Sequence, residues 1–283
     1  MKNKKLFLII LLIVLLIVIS GWLWVSGKVQ AQENIKSAHY VTTFQNNDIF
    51  IINPEKKEEE KYILYLHGGG YVTGITEKYW TFLTKFSNDT GYTIILPDYP
   101  LAPKYNYKDV FGMLEPLYKE IINKIGESKL IIMGDSAGGG MALALSELIG
   151  EENLKKPDKL ILISPWLDTT MGNEKIDKVQ KNDKLLNKYA LKVAGELYSG
   201  EDGRNSYLVN PINGNLKNLP ETIIFTGTYD ILNPDVHILK ERAEKEEIEN
   251  IKIVEKEKAV HIWLLQSEYC SQNDYLELID SLE

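Results

Sequence analysis

The sequence predicts an α/β fold: an eight-stranded, mostly parallel sheet with helices on both faces and a small helical cap. Two observations predict it. Short apolar runs alternate with helical stretches of ten or more residues, the pattern of βαβ units. One interval of roughly sixty residues, between the run ending at Ile163 and the run starting at Thr222, breaks that alternation, and long insertions in compact domains are usually functional.

Taken in order, residues 39–44 and 49–52 read as an antiparallel pair of strands. Residues 62–66, 93–96, 130–133, 160–163, 222–225 and 251–254 supply six more. Residues 77–88, 108–124, 137–148, 234–247 and 262–281 read as helices. Within the long interval, residues 182–197 are helical by composition. That interval, about residues 167–215, is expected to cap the C-terminal ends of the strands, where ligands bind in open α/β sheets. The charged run from Lys56 to Lys61 reads as a solvated turn.

The chain's beginning has a different character. Residues 1–5 carry Lys2, Lys4 and Lys5, and residues 6–25 carry no charge. About twenty helical residues span ~30 Å, the hydrocarbon thickness of a bilayer. Trp22 and Trp24 stand at the far end of the run, at the depth that aromatic rings favour. The expected arrangement is a basic cytoplasmic end (1–5), a transmembrane signal-anchor (6–25), a linker (26–37) and an α/β domain (38–283) outside the cytoplasm. The competing reading is a secretory signal cleaved after Val29-Gln-Ala31. The length of the run and its tryptophans favour the anchor. No cysteine stands just after the run, which excludes a lipoprotein anchor.

A formal net charge of −8 argues against a nucleic-acid partner, because binding phosphate backbones requires a basic face. The single cysteine, Cys270, forms no internal disulfide, and no Cys/His cluster suggests a metal site. Cys270 is expected to be a small buried residue in the final helix.

Gly134-Asp-Ser-Ala-Gly138 lies between an apolar strand run and a helical pattern. That context makes Ser136 a candidate nucleophile on a sharp strand-to-helix turn, with glycines where a Cβ would clash. His67-Gly-Gly-Gly-Tyr71 directly follows the strand at 62–66. Its glycines let backbone N–H groups turn into a cavity, where they can stabilise a developing oxyanion. A further donor is the N–H of Ala137, the residue after the nucleophile. A phosphate-cradling loop fits poorly, since no Lys-Ser/Thr or dinucleotide fingerprint follows. In this arrangement the triad runs Ser, then Asp or Glu, then His. Downstream of Ser136 stand only His237 and His261. His261 lies in the loop after the last strand and is the expected base; His237 falls within a helix and His67 lies upstream of the serine. Asp230, at the tip of the strand before, is the expected acid, and Asp235 the runner-up.

With these residues in place, the chain resembles the hormone-sensitive-lipase-like bacterial esterases, the type 3 group of the α/β-hydrolase fold. The resemblance rests on His67-Gly-Gly-Gly-Tyr71, Asp98-Tyr-Pro-Leu-Ala-Pro103, Gly134-Asp-Ser-Ala-Gly-Gly139, Ser164-Pro-Trp-Leu-Asp168, Gly227-Thr-Tyr-Asp-Ile-Leu232 and His261. It implies Gly69 and Gly70 as oxyanion donors beside Ala137. It also implies hydrolysis of small, short-acyl esters with no cofactor. Pro100 stands where the family has an arginine, and Asp98 is read as a loop organiser. An amidase, peptidase or acyltransferase would use the same triad. A non-enzymatic binding protein on this scaffold typically lacks a triad member, and this chain has all three.

Overall fold

The computed structural model describes residues 39–57 and 59–283. The predicted basic end, signal-anchor and linker (1–5, 6–25 and 26–37) lie outside the described residues. Among the described residues, no helix is long and apolar enough to cross a membrane.

Eight strands form one sheet: β1 (His39–Phe44), β2 (Asn47–Ile52), β3 (Lys61–Leu66), β4 (Thr93–Pro97), β5 (Lys129–Asp135), β6 (Lys159–Ile163), β7 (Glu221–Gly227) and β8 (Ile251–Lys256). Their spatial order is β1-β2-β4-β3-β5-β6-β7-β8. The β1–β2 and β2–β4 pairs are antiparallel and the remainder parallel. Gln45 and Asn46 close the first hairpin, both at positive φ (48° and 63°), as a two-residue turn with the strands' twist demands.

The α-helices are α1 (Glu77–Thr90), α2 (Tyr107–Ile125), α3 (Ser136–Glu151), α4 (Ile176–Val179), α5 (Lys188–Ser199), α6 (Asn233–Lys245) and α7 (Gln272–Asp280). Successive strand side chains point to opposite faces, and the strands divide accordingly. Leu64, Leu66, Ile132, Leu160 and Leu162 join a core with α2, α3 and α6. Ile63, Tyr65, Ile131, Met133, Ile161 and Ile163 join a second core with α1 and α7.

The stretch read as a cap carries α4, α5 and short 3-10 turns at Gly203–Asn205 and Pro211–Asn213. The stretch read as one helix, 262–281, is instead a 3-10 turn at Trp263–Leu265, a loop, and α7. The break has two causes. The Gln266 side chain turns back to donate to the His261 carbonyl at 2.7 Å. Ser271 then opens a new helix through a reciprocal capping box with Asp274. Cys270 therefore sits in the loop before that cap, half-buried, and not within a helix.

Candidate active site

Strand β5 ends at Asp135 and α3 begins at Ser136, with no loop between them. Ser136 makes the turn itself at φ 54°, a left-handed conformation that costs a non-glycine residue about 1–2 kcal/mol. Close packing holds it there. A Cβ on Gly138 would strike the carbonyl oxygens of Leu66 and His67, and one on Gly134 the carbonyl of Gly138. From the other side, the Trp166 N–H donates to the Ser136 carbonyl at 2.8 Å.

His261, in the loop after β8, places Nε2 2.9 Å from Ser136 Oγ and Nδ1 2.8 Å from Asp230 Oδ2. Asp230 is fully buried at the end of the β7 loop, and its other oxygen accepts the Leu232 N–H at 2.9 Å. With the Nδ1 proton turned to Asp230, Nε2 is left to accept from the serine hydroxyl. The His261 loop is pinned by Ser164 Oγ, which accepts the Ile262 N–H at 3.0 Å. Burial disfavours charge on His261, but the charge and hydrogen bond of Asp230, helped by Asp135 and Asp183, outweigh it. They hold the imidazole above its ordinary pKa.

The two residues that sequence reasoning weighed against these lie elsewhere. Asp235 accepts from Asn173 Nδ2 at 2.8 Å, and burial pushes its carboxyl up to about 6. His237 meets Glu255 at 2.6 Å, partly exposed.

Behind Ser136, residues 69–71 run at positive φ: 113° at Gly69, 62° at Gly70 and 65° at Tyr71. The Gly69 carbonyl accepts the N–H groups of Val72 and Thr73 at 3.2 and 2.9 Å, which curls the loop. Among the described residues, no backbone acceptor takes the N–H of Gly69 or Gly70. Ala137 lies in the first turn of α3, where helical N–H groups have no intrahelical partner. His67 is buried and stacked on Tyr99 at 4.2 Å, and burial lowers its pKa to about 4. The Asp98 N–H donates to the Asp48 carbonyl at 2.8 Å, tying that loop to β2.

Sequence reasoning passed over the residue that ties the serine turn to this glycine loop. Asp135, fully buried, accepts the Gly68 N–H at 3.1 Å and the hydroxyls of Tyr65 and Tyr79 at 2.9 and 2.7 Å. Burial pushes its carboxyl up to about 6 against the pull of those bonds. A carboxylate between Gly134 and Ser136, at the end of an apolar strand, was itself the signal: buried charge requires donors. The cap reaches the site at two further points. Tyr198 of α5 stacks on Tyr71 at 3.7 Å with planes 4° apart. Asp183, between α4 and α5, accepts the Ile231 N–H beside Asp230 at 2.9 Å.

A family model described as the alpha/beta hydrolase fold matches residues 63–265. An esterase of Acinetobacter venetianus is 32% identical over 66% of this chain and 62% of its own length. A triacylglycerol lipase of Mycobacterium tuberculosis is 27% identical over 71% of this chain and 42% of its own. The chain thus spans less than two thirds of these curated relatives. A crystal structure of an esterase from the bacterial hormone-sensitive lipase family superposes with a TM-score of 0.80 at 22% identity, covering 86% of this chain and 83% of that one. By its matched length, its sheet and the motifs that line its serine turn, the chain belongs to the α/β-hydrolase fold family.

Proposed function

We propose that the chain is a serine carboxylesterase acting on small, short-acyl esters, with Ser136 as nucleophile, His261 as general base and Asp230 as its orienting acid. The continuous chain from Ser136 Oγ through both ring nitrogens of His261 to Asp230, at 2.9 and 2.8 Å, carries the reading. In the first half-reaction, Ser136 Oγ bonds to the ester carbonyl carbon as its proton passes to His261 Nε2. Asp230 stabilises the imidazolium so formed. The carbonyl oxygen takes the negative charge, held by the N–H groups of Gly69, Gly70 and Ala137, each donor contributing about 3 kcal/mol in such sites. The C–O bond then breaks, and His261 returns its proton to the departing alcohol. Water repeats the sequence on the acyl-enzyme and releases the acid. The short-acyl preference rests on the resemblance of the motifs alone.

The test is turnover of p-nitrophenyl acetate by the full chain and by Ser136→Ala, together with fluorophosphonate labelling of Ser136. Ester turnover that survives in Ser136→Ala, or peptide turnover without ester turnover, overturns the reading. The proposed setting is the outer side of a membrane, with residues 6–25 as a retained anchor. The uncharged run, its flanking lysines and its tryptophans support that setting. Protease added to intact cells digests the domain if it faces outward and spares it if it does not.

A further inference from the structure

Two neighbouring cavities lie on the side of His261, and only the inner one is lined by it. The inner one, about 230 Å³, is walled by His261 and Ile262, by Tyr79 of α1 and by Leu185 of the cap. It shares Lys78, Leu265 and Gln266 of its wall with a second cavity of about 530 Å³. That outer groove runs between α1 and α7, with Phe82, Leu264 and the Tyr275 ring in its wall and Glu77, Lys85 and Glu268 among its lining residues. From Lys78 to Lys85 it follows α1 for about two turns, or ~10 Å.

The position of the inner cavity relative to the reacting atoms gives it a role. It is walled by His261, whereas Ser136 and the proposed oxyanion donors Gly69, Gly70 and Ala137 contribute nothing to its lining. In acyl transfer the carbonyl oxygen points to the oxyanion donors, and the leaving oxygen must lie where the histidine can return the serine proton. Space that opens at His261 is therefore space for the alcohol. At ~30 Å³ per water, the inner cavity alone holds a group the size of about seven waters.

Resting on the esterase reading, we infer that the leaving alcohol is an extended, amphiphilic one that threads past His261 and lies along α1. The charges around the groove fit an uncharged chain with an apolar side. Two lysines face two glutamates, and Lys85 is already paired with Asp89 and seated over the Tyr275 ring. No single sign of charge dominates the groove, while Phe82, Leu264 and Leu265 offer it apolar surface. The bond chemistry is unchanged. The ester C–O bond breaks, the Ser136 proton goes to the alkoxide through His261, and the long alcohol leaves along the groove.

The test holds the acyl group as acetyl and lengthens the alcohol from ethyl through butyl and octyl to dodecyl, with the purified full chain. The expected result is a kcat/KM that rises about tenfold or more from ethyl to octyl acetate, since each buried methylene adds to binding. Leu265→Trp, on the wall the two cavities share, flattens that rise; Thr81→Trp, on the outer groove, cuts it only for the longest alcohols. Thr81 is exposed on α1, so its variant keeps the fold should Leu265→Trp fail to. A kcat/KM that is flat or falls with alcohol length overturns the inference, as does a rise that both variants retain. If no ester in the series is turned over and fluorophosphonate leaves Ser136 unlabelled, the esterase reading has failed instead.

Discussion

Asp183 of the cap accepts the backbone N–H of Ile231 at 2.9 Å, one residue from Asp230, while its other oxygen accepts from Leu185 and Leu186 at 2.8 and 2.9 Å. One side chain thus organises the inner wall of the cap and the loop that carries the proposed catalytic acid. Its negative charge also helps hold His261 above its ordinary pKa.

Asp183→Ala leaves the buried Ile231 N–H without its acceptor, at a cost of about 1–3 kcal/mol, together with two partly buried N–H groups. The variant is expected to lose about tenfold or more in kcat/KM, the equivalent of ~1.4 kcal/mol of positioning. The acidic limb of its pH–rate profile is expected to move to lower pH, because a charge favouring the imidazolium is gone. A lower melting temperature with an unmoved limb would reduce Asp183 to a structural role.

Asp230 and Asp235 separate in the same assay. Asp230→Asn is expected to lower kcat on p-nitrophenyl acetate by about 10⁴, the scale of a triad left with the wrong tautomer. Asp235→Asn, whose carboxyl meets Asn173 and not His261, keeps activity within about tenfold of the parent. Equal losses in the two variants would contradict the assignment of the acid.

The raised pKa of His261 fixes the direction of the pH dependence. The base must be neutral to accept the serine proton. As pH falls through the raised value the imidazolium forms on Asp230 and kcat/KM falls with it, so the acidic limb lies above the ordinary histidine pKa of about 6.5. A limb at or below that value would mean that Asp230 does not sustain the charge.

Glu147 tests the interior of α3 away from the serine. It is buried, both its carboxylate oxygens lack a hydrogen-bond partner among the described residues, and burial holds its pKa well above the ordinary value. The folded state then binds a proton that the unfolded state has lost, so this residue's contribution to stability declines as pH rises above about 4.5. Glu147→Gln keeps the shape without the charge. Thermal melts are expected to show the variant gaining on the parent as pH rises above about 4.5. Parallel curves for parent and variant would mean that Glu147 stays ionised.

The positions of the strands along the chain and the serine turn could be read from the sequence because both are local. Apolar runs mark the strands, and the glycines at 134 and 138 mark the close approach to Leu66. What escaped is carried by distant pairs. The donors to Asp135 come from positions 70, 67 and 56 residues before it, and no periodicity connects them. The division of Ile63 and Leu64 between two cores follows from the sheet that surrounds them. The stretch 262–281 misled through its apolar spacing, since Leu264, Leu265 and Leu276 suit one helix. The Ser271–Asp274 capping box, which was visible, marked the true start of α7.

The sheet order also sets apart one edge of the domain from the site. Strand β1 is the outermost strand and pairs with β2 alone, whereas Ser136, Asp230 and His261 follow β5, β7 and β8 toward the opposite edge. Fraying of β1 would strip pairing from one side of β2 alone and leave β5, β7 and β8, which lead into the three side chains, paired as they are.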